Sequence, residues 1–188
     1  MDKKELVKEA AVKVMSRNGF YNTRTQEIAD EAGVAVGTIY NYFQNKNDIL
    51  DYIFKSELEK RLNKLKKIQG QDLSFWERLE IFFQFHFNEV KENISVGEIL
   101  VREKDFPLKD GSDSINEYLT KIPFLLNKMI EEGLKKGEIK ADYESEIVAN
   151  IIFGAIQGIV EKSIYSEDKE MLEEASKELI KLLREGLI

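Results

Sequence analysis

The sequence contains no cysteine and only one histidine, His86, among its 188 residues. Thiol nucleophiles, disulfides, iron–sulfur clusters and cysteine-based zinc sites are therefore excluded. A lone histidine cannot form a metal site by itself, so we predict neither a metal nor a cofactor. Since a phosphate-binding glycine loop and a Gly-x-Ser-x-Gly motif are also missing, the chain is not expected to be an enzyme.

Prolines are nearly as scarce, because only Pro107 and Pro123 interrupt the chain. Apolar residues recur at helical spacing in the long segments, and the alternation typical of strands is missing. We therefore predict an all-α fold of about nine helices. A long amphipathic helix that ends near Gly70 is expected to join an N-terminal domain, residues 1–48, to a second helical domain, residues 49–188.

Long hydrophobic runs are missing as well. The N-terminus shows no apolar signal segment and no small-residue cleavage site. The most apolar stretch, residues 147–160, is shorter than the roughly 20 residues of a membrane span and contains Asn150 and Gln157. These features predict a cytoplasmic protein that does not enter a membrane.

Residues 24–43 have the spacing of a helix-turn-helix. Ala29 is small where a second helix would cross the first, and Gly33, four residues later, tolerates the positive φ of the turn. Ile39 then faces the crossing. An ordinary helical hairpin has the same three positions, so the second helix decides between the two. Its outward residues are small, hydroxylated or amide-bearing rather than the Lys and Glu of a solvated face: Gly37, Thr38, Tyr40, Asn41 and Tyr42.

This segment resembles the DNA-binding domain of the TetR family of transcriptional regulators. The resemblance covers residues 5–55 and rests on Ala32-Gly33-Val34, Gly37-Thr38-Ile39-Tyr40, Tyr42-Phe43, Lys46 and Leu50. It implies that the second helix enters the major groove and that flanking residues hold phosphates. Asn41 is the best candidate for direct base reading, because an amide pairs with adenine. The DNA-binding residues implied in this way are Arg24, Thr25, Val36, Gly37, Thr38, Tyr40, Asn41, Tyr42 and Lys46.

The net charge of −7 is opposite in sign to that of a typical DNA-binding protein. However, residues 1–50 contain seven Lys or Arg and seven acidic residues, so the excess negative charge lies in the rest of the chain. Binding depends on the cations at the contact surface and not on the total. We expect modest, strongly salt-dependent DNA affinity.

The second domain is predicted to dimerise. Residues 147–160 are apolar on nearly all sides, and such a helix must be covered on most of them. Burial within one subunit is the alternative to pairing with a second copy. We predict pairing, in a four-helix bundle that takes two helices from each subunit. The predicted interface residues are Ile151, Gly154, Ala155, Gly158, Leu179 and Leu183.

The same domain is implied by the resemblance to bind a hydrophobic effector. A narrower resemblance joins the chain to TetR relatives of Gram-positive bacteria that regulate fatty-acid degradation and release DNA on binding long-chain acyl-CoA. It rests on Arg102, Gly137-Glu138-Ile139 and Ile152-Phe153-Gly154-Ala155-Ile156. The candidate effector residues are Phe83, Phe87, Arg102, Phe124, Phe153 and Gln157.

The sequence thus predicts a ligand-responsive repressor that binds a palindromic operator in double-stranded DNA as a homodimer. A hydrophobic small molecule would release it, and the narrower resemblance implies long-chain acyl-CoA. Two alternatives stay open. One is a repressor of an efflux operon that responds to a drug or metabolite, and the other is a helical interaction module without a role on DNA.

Overall fold

The computed structural model describes residues 2–104, 114–140 and 143–187. Across these ranges the chain forms nine helices and no strand, which confirms the predicted all-α fold. The N-terminal helices are α1 (Lys3–Asn18), α2 (Thr25–Ala32), α3 (Val36–Tyr40) and α4 (Lys46–Gln69). The others are α5 (Phe75–Glu92), α6 (Ile94–Arg102), α7 (Ser114–Lys135), α8 (Ser145–Ser166) and α9 (Glu170–Leu187).

The chain divides into two compact units. The first consists of Met1–Leu58 and Ser95–Tyr118, and the second consists of Glu59–Ile94 and Leu119–Ile188. The first unit therefore contains most of α6 in addition to the N-terminal helices. The helix α4 begins in the first unit and ends in the second.

Apolar side chains fill the core of each unit. In the first, α2 packs against α1 and α3, and Val7, Ala11, Ile28, Ala29 and Ile39 are at most 1% exposed. In the second, α5 packs against α8 and α9. Its core includes Phe75, Phe82, Phe83, Phe87, Ile152 and Leu172, all at most 2% exposed.

A short turn after α7 ties that helix to the beginning of α5. Gly137 has a φ of +69°, and the amide of Glu138 donates to the carbonyl of Gly133 at 2.9 Å. The carboxylate of Glu138 accepts a hydrogen bond from the amide of Phe75 at the start of α5. Ile139 is buried directly after them. The Gly-Glu-Ile motif therefore has a structural role within the second unit.

Candidate nucleic-acid interface and effector domain

The helices α2 and α3 form the predicted helix-turn-helix. Ala29 is fully buried and Ile39 is 1% exposed, which is the packing that the crossing of the two helices requires. Gly33 ends α2 in the left-handed conformation, with φ +65° and ψ +34°. The next amide, of Val34, then donates to the carbonyl of Ala29 at 3.0 Å. The three positions singled out in the sequence cooperate as expected.

The start of α2 is capped differently from a Ser/Thr capping box. Arg24 is the N-cap residue, and its amide donates to the Glu27 carboxylate at 2.7 Å. The hydroxyl of Thr23, which would otherwise suit the capping role, donates to the carbonyl of Gly19 at 2.8 Å. The arrangement leaves the Arg24 side chain exposed at the beginning of α2, directly before Thr25.

The outward face of α3 is largely exposed to solvent. Tyr40 is 55% exposed and Tyr42 is 40% exposed. Gly37 and Asn41 are exposed as well, while Val36 and Thr38 are half-buried. A Cβ added to Gly37 would meet nothing within 4 Å. The structure therefore presents all the predicted major-groove residues on one short helix and its end.

Lys46, the first residue of α4, makes several contacts inside the protein. Its ammonium donates to three backbone carbonyls, at 2.5 Å to Phe20, 3.2 Å to Tyr21 and 2.8 Å to Thr23. Partial burial lowers the pKa of Lys46, and the carboxylates of Glu103 and Glu27 oppose that shift. The predicted contact of Lys46 with a phosphate stays a prediction.

The candidate effector residues belong to different units and differ in burial. Arg102 belongs to the first unit, where its guanidinium donates to the carbonyl of Ser16 at 2.8 Å. In the second unit Phe83, Phe87 and Phe153 are buried, Gln157 is half-buried and Phe124 is 55% exposed. A cavity of about 620 Å³ between α7 and α8 has Phe124, Pro123, Asn127 and Glu146 in its lining.

A buried polar pair in the second unit was not predicted from the sequence. Arg61 is fully buried, and its Nε donates to Nδ1 of His86 at 3.1 Å. Arg61 lies on the same face of α4 as Leu58, Leu65 and Ile68, which are also buried. In the sequence, Arg61 could have been recognised as a charged residue at a position where the helical repeat expects an apolar one. Among the described residues no group of three or more His, Asp or Glu side chains could hold a metal ion.

His86 should make the stability of the protein depend on pH between about 5 and 7. Burial, followed by the charge of Arg61, holds the pKa of His86 well below 6.5. The unfolded chain therefore binds a proton that the folded chain does not, and stability falls as the pH drops below 6.5. The slope is at most about 1.4 kcal/mol per pH unit.

Urea unfolding at several pH values measures this effect. His86 is the only histidine in the chain, so a His86→Leu variant should show a flat profile from pH 7 to about pH 5, above the range where carboxylates titrate. An equal slope in the variant and in the wild type would contradict the assignment.

An exposed apolar stripe runs along α8. Ile147 is 59% exposed, Ile151 is 63% exposed, and Gly154 and Gly158 follow at helical spacing. A Cβ added to either glycine would meet nothing within 4 Å. Of the other predicted interface residues, Ala155 and Leu183 are half-buried and Leu179 is 7% exposed within its own subunit.

The composition of α8 is also that of a candidate membrane-spanning helix. Within the described part of the chain, α8 is long and apolar enough to cross a bilayer by length and composition, although residues 147–160 alone suggested a shorter element. One third (33%) of its most apolar stretch is buried. The buried side of α8 packs on α5 and α9.

A helix-turn-helix with an exposed second helix, joined to a helical unit, defines a DNA-binding transcriptional regulator. Residues 7–53 match the family described as bacterial regulatory proteins, tetR family. Residues 54–186 match the YsiA-like protein, C-terminal region. The chain belongs to the TetR family, and the resemblance predicted from the sequence is confirmed.

Regulators of fatty-acid metabolism are among its most similar relatives. The fatty acid metabolism regulator protein of Bacillus subtilis (strain 168) is 30% identical over 95% of this chain and 92% of its own length. The crystal structure of FadR from Bacillus subtilis in complex with stearoyl-CoA superposes with a TM-score of 0.86, at 28% identity over 95% of this chain and 96% of that one. FadR from Bacillus halodurans gives a TM-score of 0.86, at 27% identity over 95% and 96% of the two chains. These relatives are transcriptional regulators.

Proposed function

We propose that this regulator is a cytoplasmic repressor that binds a palindromic operator as a homodimer and releases it on binding long-chain acyl-CoA. The observation that carries the choice of effector is the likeness, over nearly the whole chain, to a FadR structure that contains stearoyl-CoA. The operator contacts and the dimer are supported by the exposed surfaces of α3 and α8.

The proposed dimer pairs the exposed stripe of α8 with its copy in a second subunit. Ile147 and Ile151 supply apolar area, and Gly154 and Gly158 let two helices approach closely. The exposed Leu182 of α9, at 67%, extends the apolar surface. A twofold dimer would present two copies of α3, which matches the symmetry of a palindromic operator.

On the operator, α3 would lie in the major groove. Thr38, Tyr40 and Asn41 would face base edges, Gly37 would allow close approach of the backbone, and Val36 would contact a thymine methyl group. Residues outside the groove would hold phosphates, and we assign that role to Arg24, Thr25 and Tyr42. The TetR resemblance gives the same role to Lys46, but its ammonium already donates to three backbone carbonyls of its own subunit.

The effector would act by favouring a subunit shape that does not fit the operator. Two recognition helices must lie about 34–36 Å apart, one DNA turn, to reach successive major grooves. Acyl-CoA shifts the equilibrium only by its difference in affinity for the two shapes. The buried aromatic residues Phe83, Phe87 and Phe153 of the second unit are the proposed surroundings of the acyl chain.

The proposal is tested by fluorescence anisotropy of a labelled palindromic duplex from the gene's own upstream region. We expect a tight, salt-sensitive complex that stearoyl-CoA disrupts at micromolar concentration, whereas coenzyme A alone does not. Acetyl-CoA is the matched control, because it keeps the headgroup and lacks the long chain.

Two other results would change the proposal. A salt-sensitive complex that survives stearoyl-CoA would keep the repressor and replace the effector by a drug or metabolite, for which the cavity beside Phe124 is the candidate site. Failure to bind this duplex and any duplex from a random-sequence selection would leave the helical interaction module.

A further inference from the structure

The loop between α1 and α2, residues 19–24, is held from two sides by residues far away in the sequence. On one side the Lys46 ammonium donates to the carbonyls of Phe20, Tyr21 and Thr23 at 2.5–3.2 Å. On the other side the carboxylate of Glu103 accepts from the amide of Phe20 at 3.1 Å. Lys46 begins α4 and Glu103 directly follows α6, so four helices (α1, α2, α4 and α6) meet at one short loop.

The contacts leave the two charged groups little freedom. An ammonium has three N–H donors, and the three carbonyls use all of them. The ring of Phe20 lies 4.4 Å from Nζ of Lys46, which adds a cation–π contact. Glu103 is 6% exposed, and a carboxylate this deeply buried is costly to keep unless it accepts hydrogen bonds.

The loop leads directly into the proposed phosphate-binding end of α2. Arg24 is its last residue and the N-cap of α2, and Thr25 is the first residue of that helix. A second bond strengthens the same junction, because Arg102 donates to the carbonyl of Ser16 near the end of α1. Movement of the loop would therefore displace Arg24 and Thr25.

We propose that Lys46 and Glu103 are positioning residues for operator binding: together they fix the α1–α2 loop and so place the N-terminus of α2 against the DNA backbone. This inference rests on the proposed operator contacts of α2. It gives Lys46 a role through the loop in place of a direct ion pair with a phosphate. It also gives a buried acidic residue a favourable effect on DNA binding.

The sign of the effect at Glu103 separates positioning from simple electrostatics. If only charge mattered, removing an acidic residue would strengthen binding to DNA, because it removes repulsion of the phosphates. Positioning predicts the reverse for Glu103→Ala, which removes the carboxylate that accepts the hydrogen bond of the Phe20 amide. Glu103→Gln should restore most of the affinity, since the amide oxygen still accepts that hydrogen bond.

The salt dependence of binding distinguishes a positioning role of Lys46 from a direct contact with a phosphate. The slope of log affinity against log salt is negative, and each lost phosphate contact reduces its magnitude by about 0.9. For Lys46→Met we expect operator affinity to fall about tenfold or more, as charge-assisted hydrogen bonds are lost, with the slope unchanged. Lys46→Arg should also bind weakly, because a planar guanidinium does not match three convergent carbonyls. Lys13→Met is the matched control, because it removes an exposed charge from α1 that is paired with Glu31.

The experiment measures operator anisotropy over a salt series for the full-length wild type and the variants, at a temperature where circular dichroism shows each to be folded. The double variant Lys46→Met with Glu103→Ala should bind no more weakly than the weaker single variant, because both residues hold one loop. Hydrogen exchange in the free protein gives a measurement independent of DNA. The amide of Phe20 should exchange faster in Glu103→Ala than in the wild type.

Three results would overturn the inference: a smaller salt slope for Lys46→Met, unchanged or tighter binding by Glu103→Ala, or unchanged exchange at Phe20. A wild-type protein that shows no salt-dependent complex would instead contradict the proposed function. The exchange measurement would still decide whether Glu103 holds the loop.

Discussion

A Gly154→Leu variant should be a folded monomer that binds the operator far more weakly than the wild type. The glycine lies in the middle of α8, where a Cβ would meet nothing within 4 Å in its own subunit. A glycine inside a helix is about 1 kcal/mol less favourable than alanine, and among the described residues no neighbour of Gly154 requires one. The leucine side chain would hold a second α8 away at the point of closest approach. Packing of Ile147 and Ile151 across the dimer would then be lost.

Light scattering coupled to size exclusion measures the outcome. We expect the wild type to have twice the 21.8 kDa chain mass, and Gly154→Leu to have the mass of a single chain at micromolar concentration. Operator affinity should fall about 100-fold or more, because one subunit cannot engage two half-sites at once. Ile151→Glu is a second route to the same result, since it places a charge on the same stripe. A dimer mass for both variants would place the interface elsewhere.

The helix-turn-helix was predictable because its determinants are local. Ala29, Gly33 and Ile39 lie within eleven residues, and each has one property that the motif requires: a small side chain, tolerance of positive φ, or an apolar side chain facing the crossing. The structure shows all three in those roles. Helical periodicity predicted the long helices for the same reason, because it depends on near neighbours along the chain.

The contacts of charged residues were not predictable in this way, because their partners lie far away in the sequence. Lys46 donates hydrogen bonds to three carbonyls that lie more than twenty residues earlier. Glu103 accepts a hydrogen bond from an amide 83 residues away. Arg61 is charged at a position where the helical repeat expects an apolar side chain, and His86 on another helix accepts its hydrogen bond. The effector residues were predicted from the family resemblance and from aromatic and polar side chains of the second domain, and such side chains do not distinguish a core from a pocket.

Gly37, like Gly154, is a helical glycine with open space beside it, but it lies on the proposed DNA-binding surface. It is the second residue of α3 and exposed, and a Cβ there would meet nothing within 4 Å. Leucine should therefore fit the free protein and raise its stability by up to about 1 kcal/mol through helix propensity. In the operator complex the added side chain would lie between the helix backbone and the base edges. We expect Gly37→Leu to lose about 2–3 kcal/mol of specific binding, or roughly 30- to 150-fold.

Competition between the operator and a scrambled duplex makes this prediction specific. The substitution leaves the proposed phosphate-binding residues Arg24, Thr25 and Tyr42 in place, so salt-dependent binding to the scrambled duplex should persist while the preference for the operator disappears. The two glycine variants also control each other, because Gly37→Leu should keep the dimer mass that Gly154→Leu loses. Gly37→Ala should fall between the wild type and the leucine variant, since it adds a single methyl group. Retention of full operator preference by Gly37→Leu would show that the backbone of α3 does not approach the groove at this residue, and base reading would then have to come from Tyr40 and Asn41 at the other end of the helix.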